Sequence, residues 1–196
     1  MAFPQGVDFR FTLAYVTDPA NYAWDNYTGA ANYPTTTAQG NNVGWTSVSG
    51  VYSVRNYTTG NDPRLAGCAL DQVATYQIDL PSPGSYTVFL ACGDALYSRS
   101  NQKIELFDDT ASLGVLFTGA STGAVNNFLD ATGVARTAAN WPTLNVGVTN
   151  VYASTKCIMK IGDGTNYAFI ATIFVQSAGP PVLGPALQMI STNMRW

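Results

Sequence analysis

The sequence predicts an all-β protein: an antiparallel β-sandwich of the jelly-roll kind, with about eight strands, long loops and an extended C-terminal arm. Three observations predict it. Apolar residues recur at every second position in several separate runs, and period two places alternate side chains on opposite faces of a sheet. Gly, Pro, Asn and Asp gather between those runs, where turns require them. No stretch of about twelve residues carries a helical apolar stripe, so the crossover helices of a parallel α/β fold are missing.

The elements follow in order. Phe9, Phe11, Leu13 and Tyr15 alternate with Arg10, Thr12 and Ala14. Residues 17–72 then form a long insertion rich in Asn, Thr, Gly and Tyr, in which Trp24 and Trp45 are expected to build a small core of its own. Ala74, Tyr76, Ile78 and Leu80 alternate with Thr75, Gln77 and Asp79, and Pro81, Ser82, Pro83 and Gly84 turn the chain. Tyr86, Val88, Leu90 and Cys92 make the next strand, and Ile104 and Leu106 the one after. Weaker strand signals lie at 113–117 and 146–153. Between them, residues 118–145 form a second long connection, with a helical turn at most in 128–140. Cys157, Met159 and Ile161 alternate again, Asp163 and Gly164 mark a tight turn, and 167–175 is apolar on both faces. Residues 1–176 thus read as one sandwich domain and 177–196 as an arm.

Composition narrows the function. The chain has no histidine, a single glutamate (Glu105), few charges and a net charge of −3. General acid–base catalysis near neutral pH most often uses histidine, and no aspartate pair stands in a catalytic context, so no enzyme is expected. Lysines and arginines form no cluster that could track phosphates, so nucleic acid is not an expected partner. No run of about 18 apolar residues suggests a membrane span. The opening MAFPQGVDFRF lacks a basic segment followed by an apolar one, so no secretory leader is expected. Three widely spaced cysteines do not form a disulfide framework; Cys92 and Cys157 fall on inward strand positions and read as buried small hydrophobes. Nothing suggests a cofactor. Calcium would find oxygen ligands at Asp108, Asp109 or Asp163, but these residues read better as turn residues.

The stretches YQIDL at 76–80, PGSYTVFLACGD at 83–94, QKIELFDD at 102–109, CIMKIGDG at 157–164 and FIATIFVQ at 169–176 resemble the malectin-like and galactose-binding-like β-sandwich group. That group includes many carbohydrate-binding modules, and NDPRLAG at 61–67 is similar to a segment accompanying such sandwiches in bacterial and phage-derived sequences. The resemblance implies a sandwich whose rim loops carry aromatic residues that stack on sugar rings, with Asp, Asn or Arg nearby to hold hydroxyls. The residues that could act so here are Asp94, Tyr97, Arg99, Asn140 and Trp141. Tyr97 and Trp141 read more readily as loop anchors over the sandwich rim than as ligand contacts, and Arg99 reads equally as an ion-pair partner of Asp94.

The arm is apolar at Leu187, Met189, Ile190, Met194 and Trp196. It either folds back over its own sheet or lies on a neighbouring subunit, and the second reading is preferred. The leading expectation is therefore a non-catalytic assembly protein: a head or tail surface, decoration or minor capsid component of a phage virion. Its expected partners are copies of itself or other structural proteins of the particle, and it would be made in the cytoplasm. The alternative is a carbohydrate-binding module or lectin that recognises a glycan through rim aromatics.

Overall fold

The computed structural model describes residues 7–10, 33–36, 42–49, 53–56, 65 and 67–178. Their strands are β1 (Val7–Arg10), β2 (Thr35–Thr36), β3 (Asn42–Val48), β4 (Ser53–Asn56), β5 (Gly67–Asp71), β6 (Val73–Asp79) and β7 (Gly84–Gly93). β8 (Gln102–Asp108), β9 (Ala111–Ala120), β10 (Asn127–Leu129) and β11 (Ala135–Thr137) follow. A short helix, α1 (Trp141–Leu144), then precedes β12 (Val148–Tyr152), β13 (Lys156–Gly162) and β14 (Ala168–Ser177).

They form the expected antiparallel sandwich. One eight-stranded sheet runs β11-β10-β7-β14-β5-β4, with β12 beside β7 and β1 beside β14. A six-stranded sheet runs β2-β3-β6-β13-β8-β9. There are more strands than the alternation suggests. The additional ones, β2 to β5 in the insertion and β10 and β11 in the second connection, are mostly short or built of small residues, so a period of two has little room to show.

The core is the facing surface of the two sheets. Tyr86, Val88, Leu90 and Cys92 of β7 meet Tyr76, Ile78, Ile104, Leu106, Met159 and Ile161 from the opposite sheet. Each fully buried aliphatic side chain contributes about 1.5–3 kcal/mol relative to exposure. Trp45 belongs to this main core and not to a separate one. β3 pairs with β6 so that Trp45 lies opposite Tyr76, and their rings meet edge-on at 5.0 Å.

A buried polar side chain also joins the sheets. Gln102 at the start of β8 is fully buried. Its Oε1 accepts from Cys92 Sγ of β7 at 2.9 Å and from the Phe169 backbone N–H of β14 at 3.1 Å. All three cysteines are reduced and buried. Burial raises the Cys157 thiol to about 12 and pushes Cys92 higher still.

A second apolar layer lies on the opposite face of the eight-stranded sheet. Ala91, Phe169 and Ala171 pack there with Ala95, Phe128 and Trp141. This layer fixes the loops at one end of the sandwich. No helix among the described residues is long and apolar enough to cross a membrane.

Candidate functional site

The site begins where β7 ends. At Gly93 a Cβ would come within 2.5 Å of the Asn127 carbonyl oxygen, so only glycine allows β7 and β10 to approach this closely. The next residue, Asp94, is fully buried. Its Oδ1 accepts the Leu96 backbone N–H at 2.9 Å, the local turn that short acidic side chains favour. Its Oδ2 accepts from Arg99 Nε at 3.1 Å and also from Arg99 Nη2. A two-pronged guanidinium–carboxylate bond fixes orientation as well as charge.

Arg99 is held on its faces too. Its guanidinium carbon lies 3.9 Å from the Phe169 ring centroid and 4.9 Å from that of Tyr97. Phe169 is buried on β14, so the stack rises from the sheet through Arg99 to Tyr97. The backbone of Arg99 is bound in both directions. Its N–H donates to Thr122 Oγ1 at 2.9 Å, and its carbonyl accepts the Thr122 N–H at 2.8 Å. Thr122 is buried, and its carbonyl accepts from Asn127 Nδ2 at 3.0 Å. The loop after β7 and the connection from β9 to β10 therefore form one unit. At its surface stands Tyr97, 52% exposed, with Leu96 exposed beside it in sequence and Val125 exposed on the neighbouring connection.

Asp94, Tyr97 and Arg99 are thus brought together as the sequence suggests, with Arg99 as the partner of Asp94. Trp141 is placed differently. It is fully buried in the second apolar layer, and its indole N–H donates to the Leu90 carbonyl at 3.0 Å. It anchors α1 to β7 and has no face open to a ligand. Asn140 is exposed and caps α1 through its backbone carbonyl, which accepts the Leu144 N–H at 2.9 Å; its side chain makes no capping bond. Leu187, Met189, Ile190, Met194 and Trp196 lie outside the described residues, as does Trp24.

The acidic residues considered for calcium are occupied by donors. Asp108 accepts the Ala153 N–H at 2.7 Å and the Ser154 N–H and hydroxyl, and the Ser154 hydroxyl leads in holding its carboxyl below the usual range. Asp109 pairs with Lys156 Nζ at 2.8 Å. Asp163 closes the turn to Asn166 and binds Lys103 Nζ at 3.0 Å; the Asn166 backbone N–H is the largest cause of its lowered pKa. No three His, Cys, Asp or Glu side chains gather to hold a metal ion among the described residues.

Sequence reading missed Phe169, Thr122, Leu96 and Val125 as parts of the site. Phe169 and Thr122 are distant in sequence from the loop they support, and only the strand pairing of β7 with β14 and the return of the chain from β9 bring them there.

The fold and this rim define the class: an all-β, antiparallel sandwich carrying a loop-borne aromatic surface at one end. No protein-family model matches the chain, and no curated protein does. Among solved structures it is similar to CBM35 from Paenibacillus barcinonensis, at 10% identity and a TM-score of 0.40, over 76% of this chain and 100% of that one. It is similar also to a chain of the complex of plant peptide RALF23 with FER and LLG2, at 12% identity and a TM-score of 0.47, covering 88% of this chain and 39% of that one. A third is the Podospora anserina GH26-CBM35 beta-(1,4)-mannanase, at 16% identity and a TM-score of 0.39, covering 66% and 25%. The chain spans the whole of the first but well under two thirds of the other two. These are likenesses of fold alone.

The expectation of a virion head or tail protein is corrected here. Carbohydrate-binding modules and glycan-degrading enzymes stand among the similar structures, and those named include no capsid, decoration or tail protein. That expectation drew in part on the apolar arm, whose large side chains lie outside the described residues.

Proposed function

We propose that this chain is a non-catalytic carbohydrate-binding module or glycan-associated domain whose contact surface is the Tyr97 rim. Fold does not select a ligand; the reading is carried by Tyr97, a half-exposed ring seated on Arg99, which is itself stacked on buried Phe169 and bound to buried Asp94. An aromatic ring fixed before the ligand arrives offers apolar area with little ordering cost, which suits the flat apolar face of a pyranose. The local charge is balanced within the Asp94–Arg99 pair, so the surface favours a neutral sugar ring over a strongly charged one. Leu96 and Val125 are also exposed on the two loops of this unit.

The test is a broad glycan array followed by calorimetry on the best ligand. Wild type binds at least one glycan in the millimolar-to-micromolar range. Tyr97→Ala reduces affinity at least tenfold, and Tyr97→Trp keeps it. Silence of the wild-type chain across the array, or binding that Tyr97→Ala leaves intact, overturns the reading.

A further inference from the structure

The outward face of the six-stranded sheet carries groups that the rim does not use. Ile104 and Leu106 of β8, and Cys157, Met159 and Ile161 of β13, belong to the core. Glu105 and Phe107, and Ile158 and Lys160, therefore point outward. A solvated sheet face is expected to be polar, and Phe107 and Ile158 depart from that. They stand directly opposite each other on neighbouring strands, and both are half-buried. Val115 of β9, opposite Glu105, is 48% exposed at their margin. A cross-strand pair of this kind makes a small apolar step on the sheet.

The polar groups around that step divide into two sets. One set is spent on itself. Lys103 binds Asp163 at 3.0 Å, and Lys156 binds Asp109 at 2.8 Å. Asp79 accepts the Tyr33 hydroxyl on both oxygens, at 2.9 and 2.8 Å, and the Gln77 amide at 2.8 Å. Glu105 and Lys160 form the other set. They face each other across β8 and β13, yet among the described residues no ion pair joins them. Glu105 accepts the Ser112 hydroxyl on Oε1 at 2.7 Å, and its Oε2 takes no bond among the described residues. Lys160 is exposed, and its Nζ stands 6.0 Å from the Phe107 ring centroid, the outer limit of a cation–π contact. An aromatic ring is thus flanked by an open acceptor and an open donor of opposite charge.

The size and charge of this step select its occupant. A stable interface between two proteins takes about 800 Å² from each side, and a phenylalanine side chain supplies at most about 250 Å². A sugar ring asks for less. Its C–H face lies on an aromatic ring, and each of its hydroxyls can donate to a carboxylate or accept from an ammonium. The opposite charges of Glu105 and Lys160 balance, which suits a neutral ligand over an ionised one. We propose that the outward face of β8 and β13 is a second glycan-contact site, which takes a neutral pyranose with its apolar face on Phe107 and Ile158 and two adjacent hydroxyls held by Glu105 and Lys160. This rests on the chain being a glycan-binding domain, but on residues that the rim does not share.

NMR titration of the full chain with neutral oligosaccharides of glucose, mannose and galactose, each in turn, tests it. In wild type, at least one of them shifts the resonances of Glu105, Phe107, Ile158 and Lys160. Phe107→Ala abolishes the shifts at Glu105, Ile158 and Lys160 and leaves those at Leu96 and Tyr97. Lys160→Ala, at an exposed position with no bond to lose, weakens binding at this face at least fivefold with the melting temperature unchanged. Tyr97→Ala leaves the face shifts in place. Shifts at the rim alone overturn this second site and leave the rim reading standing; shifts at the face alone support it and overturn the rim. Silence at both overturns both readings. Face shifts that survive Phe107→Ala and Lys160→Ala overturn the proposal, as do shifts there that follow protein concentration without sugar, which assign the face to a second copy.

Discussion

Two loops that follow neighbouring strands use the same anchor for different ends. In each, a fully buried aspartate follows a strand of the eight-stranded sheet, Asp94 after β7 and Asp130 after β10. Each accepts the backbone N–H two residues on, at 2.9 Å, and then pairs with an arginine a few residues later, Arg99 or Arg136. The Asp130 loop spends its bonds on closing itself. Asp130 Oδ1 also takes the Thr132 hydroxyl at 2.6 Å and the Val134 N–H at 3.2 Å, while its backbone N–H donates to the Val134 carbonyl at 3.0 Å. The left-handed Gly133, with φ of 78°, makes that tight return possible. The Asp94 loop instead leaves its arginine over two aromatic rings and holds Tyr97 toward solvent. A buried ion pair thus closes a turn in one case and supports a platform in the other.

Breaking the two anchors separately exposes the difference. Asp130→Ala leaves Arg136 and two backbone donors without their acceptor and lowers stability by about 3 kcal/mol in urea denaturation, while sugar affinity at the rim stays within about twofold. Asp94→Ala lowers stability by about 2 kcal/mol, and it also removes most glycan affinity because the Tyr97 platform loses its support. Equal loss of binding in both variants would erase the distinction. A finer change is Arg99→Lys. It keeps the charge but gives up the guanidinium's contact over the rings and the two-pronged bond. The expected result is an affinity several-fold weaker by calorimetry with a melting temperature only a few degrees lower; unchanged affinity would show that the stack does not position Tyr97.

The smallest expected effect concerns acid. Asp108 and Asp163, outside both loops, have carboxyls held below the usual range by the hydrogen bonds of their turns. A group with a depressed folded pKa stabilises the fold above its unfolded pKa of about 3.9, and that contribution is lost as pH falls through the folded value. Melting temperature should therefore fall from about pH 5 downward. In Asp163→Asn the fall should be shallower, and an unchanged slope would remove Asp163 as a contributor.

The long strands were legible because their alternation is clear: Tyr86 to Cys92 of β7 and Cys157 to Ile161 of β13 take the facing positions that period two requires. β9 gave a weaker signal because its bulges move the pattern off register. In the site, the Asp94–Arg99 pair was readable because both partners lie in one loop. The Asp130–Arg136 pair, equally local, was not singled out, although its Asp–Ala–Thr–Gly turn was a signal that could have found it. Trp141 was open to two readings, since a tryptophan in a polar connection suits either a ligand or an anchor. Only the indole bond to Leu90 on a strand 51 residues away decides for the anchor.

The way the rim is fastened has a practical consequence. Asp94 secures the first end of its loop, and the two bonds between Arg99 and Thr122 secure the other. Between them, Leu96, Tyr97 and Ser98 are exposed, as is Ser100 just beyond. Those four positions form a cassette. Their identities can be exchanged in a library, to seek new specificities, while the residues that set the loop's backbone stay untouched.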